Sequence, residues 1–379
     1  MVEAKVKSTE SFVINEVCRT RKINRIFRQG TDIWIFIGSK EGLTMEKNDR
    51  VFLSIFIPVY NGAEHLYSLL DSLKKQTCQN FEVVFVDDCS TDNSFEIIQN
   101  FIKRLPDNSA FYKLYKTEKN LGAGHFHLRY VLNYLKGKYF FAFSHDDYLD
   151  SNFVELCYKK SQESDYDIIL TNLCFLTNDE TTYLGRDYLL DFANKKLSNR
   201  DLFELSLTWK ISIAGCRKLQ LLKEAGFFND TYYNIDEFVC RKLLLMTEKI
   251  AFVDTNYYYR IDNANALTKK LKPFTFDILT TFGMLIDVMK EYNFSKKKIQ
   301  KQISNFIDQY KHSCFNFYIN SKQFSEDEQK HILSILKNAN RKIKSLFPYF
   351  NSILYVKYVR IMIKIGFKRK FIYRYKTPN

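Results

Sequence analysis

The sequence predicts an α/β protein with a doubly wound, mostly parallel sheet and an α-helical C-terminal region. Short apolar runs alternate with segments of helical spacing between residues 51 and 176. The runs are apolar on both faces, as is typical of parallel strands that helices cover on both sides. Beyond Leu271 the alternation stops. We therefore divide the chain into an N-terminal extension (1–50), an α/β domain (51–268) and a helical region (269–379).

Each element rests on a local pattern. Runs rich in β-branched and aromatic residues predict strands, and leucines or isoleucines three and four apart predict helices. The predicted strands are 51–59, 81–88, 111–116, 138–143 and 166–176, and the predicted helices between them are 66–73, 95–105, 125–135 and 152–163. The C-terminal region has amphipathic helices at 274–292, 296–318 and 326–347. Within residues 1–50 only the short run Ile33–Ile37 is apolar.

Composition excludes several classes of protein. With 46% apolar and 26% charged residues, the 379-residue chain is not disordered overall. Its eight cysteines form no C-x-x-C pair, which argues against a zinc ribbon and favours a reducing compartment. The N-terminus lacks an apolar signal region, and no run of about 18 uncharged apolar residues occurs. A cytoplasmic location is therefore expected.

The positive charge is concentrated at the C-terminus. The net charge is +14, yet the segment 341–379 alone contains eleven Lys or Arg and no Asp or Glu, which leaves +3 for the remainder. Within this segment Lys357, Arg360, Lys364 and Lys368 form one helical stripe. Such a basic amphipathic helix favours an anionic membrane surface, and the alternative is a C-terminal helix packed on the body of the protein. No recognised nucleic-acid motif is present, so no nucleic-acid partner is expected.

Polar clusters follow three of the predicted strands, where parallel sheets bind ligands. They are Tyr60-Asn61, Asp87-Asp88 and His145-Asp146-Asp147. Adjacent carboxylates at a buried strand end repel each other, and a divalent cation completed by phosphate oxygens would offset that repulsion. Helix capping and turn formation are the alternative explanations for these aspartates.

Together these segments resemble family-2 glycosyltransferases, which have the GT-A fold. The matching motifs are SIFIPVYNG, VDDCSTDNS and FSHDDYLD, in the family's order and spacing. NLGAGHFHLR, NIDEFVCRKLL and IAFVDTNYYYRIDNANALTK resemble later family segments, so that the likeness spans about residues 51–268. The chain departs from the pattern at Arg129, which lies two residues late, at Ile235 in an acidic position, and at Asp262 in place of a histidine.

The resemblance implies a role for each matching position. The nucleotide-sugar donor would contact Pro58, Tyr60, Asn61, Asp87, Asp88, Arg129 and Asp146. Asp147, together with Asp146, would bind Mn²⁺ or Mg²⁺ at the donor diphosphate. Asp236 would be the catalytic base, with Glu237 as the fallback. The acceptor would be a glycan or a lipid-linked sugar, and a UDP-class donor is the default.

The chemistry favours inversion of the sugar's anomeric centre. One base opposite the leaving group gives in-line displacement, and no second carboxylate stands out as a nucleophile. Nucleotidyl transfer is the rival enzymatic interpretation, but it predicts a glycine-rich, basic loop after the first strand, and Val59–Tyr67 contains no Arg or Lys. The departures from the family pattern leave a catalytically silent sugar- or membrane-binding module as the alternative function.

Overall fold

The computed structural model describes most of the chain in two compact units. Described are residues 51–106, 110–122, 127–128, 131–177, 180–225, 234–263, 266 and 269–348, together with the backbone of 25–29 and 32–40. The first unit comprises the described residues up to 225 and 247–262, and the second comprises 234–246 and the described residues from 263 onward. The predicted division at residue 268 stays a prediction.

The first unit consists of strands interleaved with short helices. Its strands are β1 (Arg25–Gln29), β2 (Asp32–Lys40), β3 (Leu53–Val59), β4 (Phe81–Asp87), β5 (Phe111–Thr117), β6 (Tyr139–Ala142), β7 (Tyr148–Leu149), β8 (Ile168–Leu176), β9 (Thr181–Tyr183), β10 (Gly215–Lys218) and β11 (Ile250–Arg260). Its α-helices are α1 (Leu66–Lys74), α2 (Ser94–Arg104), α3 (Phe153–Glu163), α4 (Arg186–Ala193), α5 (Asn199–Ser206) and α6 (Leu219–Glu224). A 3₁₀ turn covers Leu132–Tyr134, where a longer helix, 125–135, was predicted; part of that segment lies outside the described residues.

The strands of this unit form one sheet, in the order β1-β2-β5-β4-β3-β6-β10-β8-β11-β7, with β9 paired to β8. Neighbours from β5 through β6 are parallel, as are β8 and β11. The strand order reverses at β3, which has β4 on one side and β6 on the other. A ligand crevice is expected at such a reversal, beyond the carboxyl ends of the strands. The predicted α/β class is therefore confirmed, and the polar clusters occur at the strand ends where such a crevice is expected.

Burial explains why the strands are apolar on both faces. Every residue of β4 is buried, and six of the seven in β3 are. Helices α1, α2 and α3 contribute Leu66, Ile98 and Phe153 to the same hydrophobic core. The core thus fixes the ends of β3, β4 and β6, which hold the polar clusters.

Residues of the N-terminal extension add strands to this sheet. β1 and β2 form an antiparallel hairpin, and β2 pairs antiparallel with β5 through Trp34 and Thr117. The predicted apolar run Ile33–Ile37 lies within β2. Part of the extension is therefore the edge of the sheet rather than a separate segment.

The second unit is helical. It contains α7 (Ile235–Met246), α8 (Ile278–Glu291), α9 (Lys296–Asn320) and α10 (Glu326–Leu346), with 3₁₀ turns at Pro273–Asp277 and Ser321–Gln323. The three predicted C-terminal helices correspond to α8, α9 and α10. Phe276, Phe306, Phe317 and Ile332 are buried in their common core. Among the described helices, none is long and apolar enough to span a membrane.

Candidate active site

The loop after β3 is bound to the loop after β4. Asn61 has a left-handed backbone (φ 47°), and its N–H donates to Ser90 Oγ over 3.0 Å. Its side-chain oxygen accepts the Thr91 N–H over 2.8 Å. The predicted donor residue Asn61 therefore holds two loops together, while the neighbouring Tyr60 ring is 43% exposed. An exposed ring beside a fixed loop can stack on a planar ligand such as a nucleobase. Pro58 lies in β3, just before this loop.

Asp87 ends β4 and is fully buried. Its carboxylate accepts the Ser90 N–H over 3.2 Å and lies 3.6 Å from Lys116 Nζ. Burial raises the pKa of Asp87, although Ser90 and Lys116 act in the opposite direction. These contacts indicate that Asp87 shapes the loop from within.

Asp88 lies at the centre of a set of donors and is 1% exposed. Its carboxylate accepts the N–H groups of Leu121 and Gly122 over 2.7 and 3.0 Å. His127 Nε2 is 2.7 Å from the same carboxylate. Gly122 has a φ of 94°, a conformation that favours glycine. Asp88 therefore fixes the start of the segment that contains Arg129, which itself lies outside the described residues.

Asp147 is turned into the protein and is 1% exposed. One carboxylate oxygen accepts the Tyr257 hydroxyl, and the other accepts the Arg260 N–H over 2.9 Å. Burial, followed by the charge of Asp146, raises the pKa of Asp147 well above its ordinary value, against the effect of these hydrogen bonds. Sequence reasoning did not find these two partners, although both lie within the YYYR stretch that resembles the family's closing strand.

Asp146 lies beside Asp147 and is 8% exposed. Its carbonyl accepts a hydrogen bond from Arg260 Nε over 3.3 Å. Arg260 therefore contacts both members of the pair, through its backbone and its side chain. This anchors the turn after β6 on the end of β11.

The aspartate pair fits a divalent cation of the Mg²⁺ or Mn²⁺ type. Within the described residues no group of three or more His, Cys, Asp or Glu could hold a metal by itself. Mg²⁺ is commonly bound by one or two carboxylates together with substrate phosphates and water, so a full protein ligand set is not required. Burial and the charge of Asp146 both raise the pKa of Asp147, and a cation would relieve the repulsion between the two carboxylates.

Asp236 and Glu237 lie in the first turn of α7, in the second unit. Asp236 is an exposed residue, yet desolvation by the protein atoms around its carboxyl, followed by repulsion from Glu237, raises its pKa to about 6. Glu237 is bonded to Arg241 Nη1 over 3.0 Å. A carboxyl with a pKa near 6 suits general-base chemistry better than one already paired with an arginine.

Two of the departures from the family pattern have local structural explanations. Ile235 is 1% exposed, so an apolar residue at this position is buried at the start of α7. Asp262 lies 3.5 Å from Arg260 Nη1 and so belongs to the contacts around the Asp146–Asp147 turn. Neither departure changes Asp146 or Asp147.

Part of this site lies in a region of the chain that matches a known protein family. The family model for glycosyl transferase family 2 matches residues 54–217, which include β3, β4, β6 and the aspartate pair. This part of the chain is a family-2 glycosyltransferase domain. Its GT-A fold carries the polar clusters at the strand ends, as the motifs indicated.

Relatives and solved structures agree with this assignment. The glycosyltransferase GlyG of Streptococcus pneumoniae is 26% identical over 73% of this chain and 97% of its own length. The poly(ribitol-phosphate) beta-glucosyltransferase of Bacillus spizizenii is 27% identical over 55% of this chain, which spans only 32% of that longer protein. The crystal structure of S. aureus TarS 1–349 in complex with UDP-GlcNAc has a TM-score of 0.54 at 16% identity, covering 85% of this chain and 94% of that one. This last likeness shows the fold.

Proposed function

We propose that this glycosyltransferase moves a sugar from a UDP-class donor to a hydroxyl of a polysaccharide or lipid-linked acceptor. The observation that carries the proposal is the buried Asp146–Asp147 pair after β6, anchored by Arg260 beside the strand at which the sheet order reverses. The UDP-GlcNAc complex of TarS and the poly(ribitol-phosphate) acceptor in the name of one relative support this donor and acceptor class.

The donor base would lie between the loops after β3 and β4. Asn61 joins these loops, and Asp88 fixes the backbone at Leu121 and Gly122. The exposed Tyr60 ring supplies a face for stacking. By resemblance to the family, Asp88 would accept the imide N–H of uracil. Pro58, Asp87 and Arg129 complete the predicted donor set, with Arg129 assigned by resemblance alone.

Asp146, with Asp147 beside it, would hold Mn²⁺ or Mg²⁺ at the donor diphosphate. A bound cation of this kind stabilises negative charge on a leaving diphosphate. Asp147 keeps the turn in place through Tyr257 and Arg260, so that Asp146 is presented at a fixed point.

Asp236 would deprotonate the acceptor hydroxyl. An alcohol is a poor nucleophile at neutral pH, and a positioned base accelerates its attack by about 10²–10⁴-fold. With a single base, displacement is in line and the anomeric centre inverts. Glu237, which is bonded to Arg241, is the fallback base.

The basic C-terminal segment would bring the enzyme to an anionic membrane at its cytoplasmic face. This segment begins in α10 and continues beyond the described residues. A lipid-linked acceptor would be met at that surface, as in the synthesis of bacterial surface polysaccharides.

A thermal-shift titration with UDP, GDP and CDP, each with and without Mn²⁺, tests the donor proposal. A ligand that binds only the folded protein raises its melting temperature by mass action. We expect a Mn²⁺-dependent shift with UDP that is lost in both Asp146→Ala and the double variant with Asp147→Ala. If only GDP or CDP raises the melting temperature, the donor belongs to that nucleotide class and not to the UDP class. If no nucleotide raises it, the proposal is contradicted.

Inversion of the anomeric centre and the role of Asp236 as the base are tested separately. The anomeric configuration of the product, read by NMR, should be opposite to that of the donor. Asp236→Asn should keep UDP binding and lose transfer, whereas normal turnover in that variant would move the base to Glu237.

A further inference from the structure

His145 stands between β6 and Asp146, and the proposed function gives it no role. Its imidazole lies against Gly62 in the loop after β3. A Cβ added at Gly62 would be 2.7 Å from His145 Nε2 and closer still to Cδ2, a separation that real Cβ atoms do not show. Gly62 is not in the left-handed region. The requirement for glycine here therefore comes from the neighbouring ring and not from backbone strain.

The backbone under the ring is held on several sides. The Gly62 N–H donates to Ser94 Oγ over 2.9 Å, and its carbonyl accepts the His65 N–H over 2.9 Å at the start of α1. The next N–H, that of Ala63, donates to Asp92 over 3.1 Å. Because this backbone is tied to both α1 and α2, it cannot retreat easily, and the imidazole packs on a fixed surface.

The ring also makes a polar contact with β3. The imidazole interacts with the backbone of Pro58, and the charged or titratable groups around it are the carboxylates of Asp146 and Asp92 and the ring of His65. His145 is therefore held by the end of β3 and by the loop that follows it. Through the chain it is directly joined to Asp146.

We propose that His145 is a positioning residue of the donor site, matched to Gly62, and that the pair sets the distance between Asp146 and the Tyr60–Asn61 loop. The inference rests on the proposed function, because these two parts are the ones assigned to the cation and the nucleobase. A nucleoside diphosphate reaches from one to the other, so its affinity depends on that distance. A change of about 1 Å in such a spacing is enough to weaken binding and catalysis.

A double-mutant cycle with Gly62→Ala and His145→Ala tests the match. UDP affinity is measured by calorimetry in saturating Mn²⁺, and the melting temperature is measured without ligand. We expect each single variant to bind UDP about tenfold more weakly. The double variant should bind no more weakly than His145→Ala alone, because the new methyl group fits the space that the ring has left. If His145→Ala does not fold, His145→Gln, which keeps a donor toward Pro58, takes its place.

Gly137→Ala is the matched control, at the opposite end of β6. A Cβ there would lie 2.7 Å from both Ser54 Oγ and the Tyr139 carbonyl. We expect this variant to lower the melting temperature and to leave UDP affinity unchanged. If His145 has only a structural role, the Gly62 and His145 variants should likewise have a lower melting temperature and an unchanged UDP affinity. That result would overturn the proposal.

The remaining outcomes separate this inference from the proposed function. If the wild-type enzyme binds no UDP, the proposed donor is wrong and the role of His145 fails with it. If the wild type binds UDP and the losses in the two single variants add up in the double variant, only the matched pair is wrong.

Discussion

Asp146 and Asp147 are neighbours in the chain, but their surroundings differ. Both carboxylate oxygens of Asp147 already accept hydrogen bonds, from Tyr257 and from the Arg260 N–H. Asp146 is the more exposed of the two, at 8% against 1%. If a carboxylate oxygen binds a cation in place of a buried hydrogen-bond donor, that donor is left unpaired, which costs about 1–3 kcal/mol of stability. We therefore expect Asp146 to contribute more than Asp147 to binding of the cation.

Substitution of each aspartate by asparagine tests this expectation. Asp146→Asn should lose the Mn²⁺-dependent part of the UDP thermal shift. Asp147→Asn should keep some of that part, because the amide oxygen can still accept the Arg260 N–H, while its melting temperature falls. Equal loss in both variants would show that Asp147 is a cation ligand in its own right, as the family resemblance implies.

The pKa of Asp236 gives a prediction about pH. Desolvation, followed by repulsion from Glu237, raises this pKa to about 6. A base acts only when it is deprotonated, so kcat/KM should rise with pH through about 6 and level off above it. The profile is measured with saturating Mn²⁺ from pH 5 to 8. Asp236→Asn should have no such rise in its residual activity, and Glu237→Gln should shift the rise to lower pH by removing the repulsion. A profile that is flat near pH 6 in the wild type would argue against Asp236 as the base.

The sequence indicated the acidic residues of the site but not what holds them. Asp88, Asp146 and Asp147 were recognisable because each ends or follows a predicted strand within a family motif. The Tyr257 contact joins residues 110 positions apart, and the His145–Gly62 contact joins the ends of two strands. Local pattern contains no information about such pairs, since only the folded sheet brings them together.

At the scale of the elements, a buried polar network fixes the amino-terminal ends of the central strands. Glu82 of β4 is fully buried and accepts from Ser54 Oγ over 2.6 Å and from Lys113 Nζ over 2.7 Å. The same carboxylate accepts the Lys136 N–H, and Ser54 accepts the Gly137 N–H over 2.8 Å. The network therefore ties β3, β4 and β5 to the turn that begins β6.

Removal of Glu82 should destabilise this unit strongly. Glu82→Ala leaves a largely buried lysine and two donors without their acceptor, and loss of one partner of such a pair costs about 3–5 kcal/mol. Urea denaturation measures the free energy of unfolding. Glu155→Ala is the control, because Glu155 pairs with Lys159 on the surface of α3, where water screens the pair, and its loss should lower the free energy of unfolding far less. Similar losses in the two variants would contradict the structural role of the network.

Strands and helices were predictable to different degrees. β3, β4 and β8 are long apolar runs rich in β-branched and aromatic residues, and this composition identified them as strands. β10 is only four residues long and contains Arg217 and Lys218, so its pattern carried no strand signal. It forms because the edges of β6 and β8 supply partners on both sides. The N-terminal hairpin was missed for a similar reason, since β2 is completed by β5.

At the scale of the whole molecule, order along the chain does not decide which unit an element joins. α7 precedes β11 in sequence, yet it groups with the C-terminal helices, whereas β11 groups with the sheet. The strand–helix alternation placed both elements in a single domain. The chain passes from one unit to the other three times, between residues 225 and 234, between 246 and 247 and between 262 and 263. Sequence periodicity does not reveal such exchanges.

The basic C-terminal segment lies mostly outside the described residues, and its role is testable in the full-length chain. Replacing Lys357, Arg360, Lys364 and Lys368 by glutamine removes the four charges of the stripe that the sequence predicts. Each cation near an anionic bilayer contributes about 1 kcal/mol, so that, discounted by half, the loss is about 2 kcal/mol or about thirty-fold in affinity. Co-sedimentation with phosphatidylglycerol vesicles measures it, and phosphatidylcholine vesicles should bind neither protein.

A variant with the same net charge separates the stripe from charge in general. Lys296, Lys297, Lys298 and Lys301 are exposed at the start of α9, and their replacement by glutamine removes the same four charges from a described part of the second unit. Vesicle binding by this control should fall much less than thirty-fold, because the C-terminal stripe is intact. Both variants should keep the UDP thermal shift, since neither set belongs to the proposed donor site. An equal loss in the two variants would mean that net charge alone governs attachment, and the C-terminal segment would then have no special part in bringing the enzyme to its acceptor.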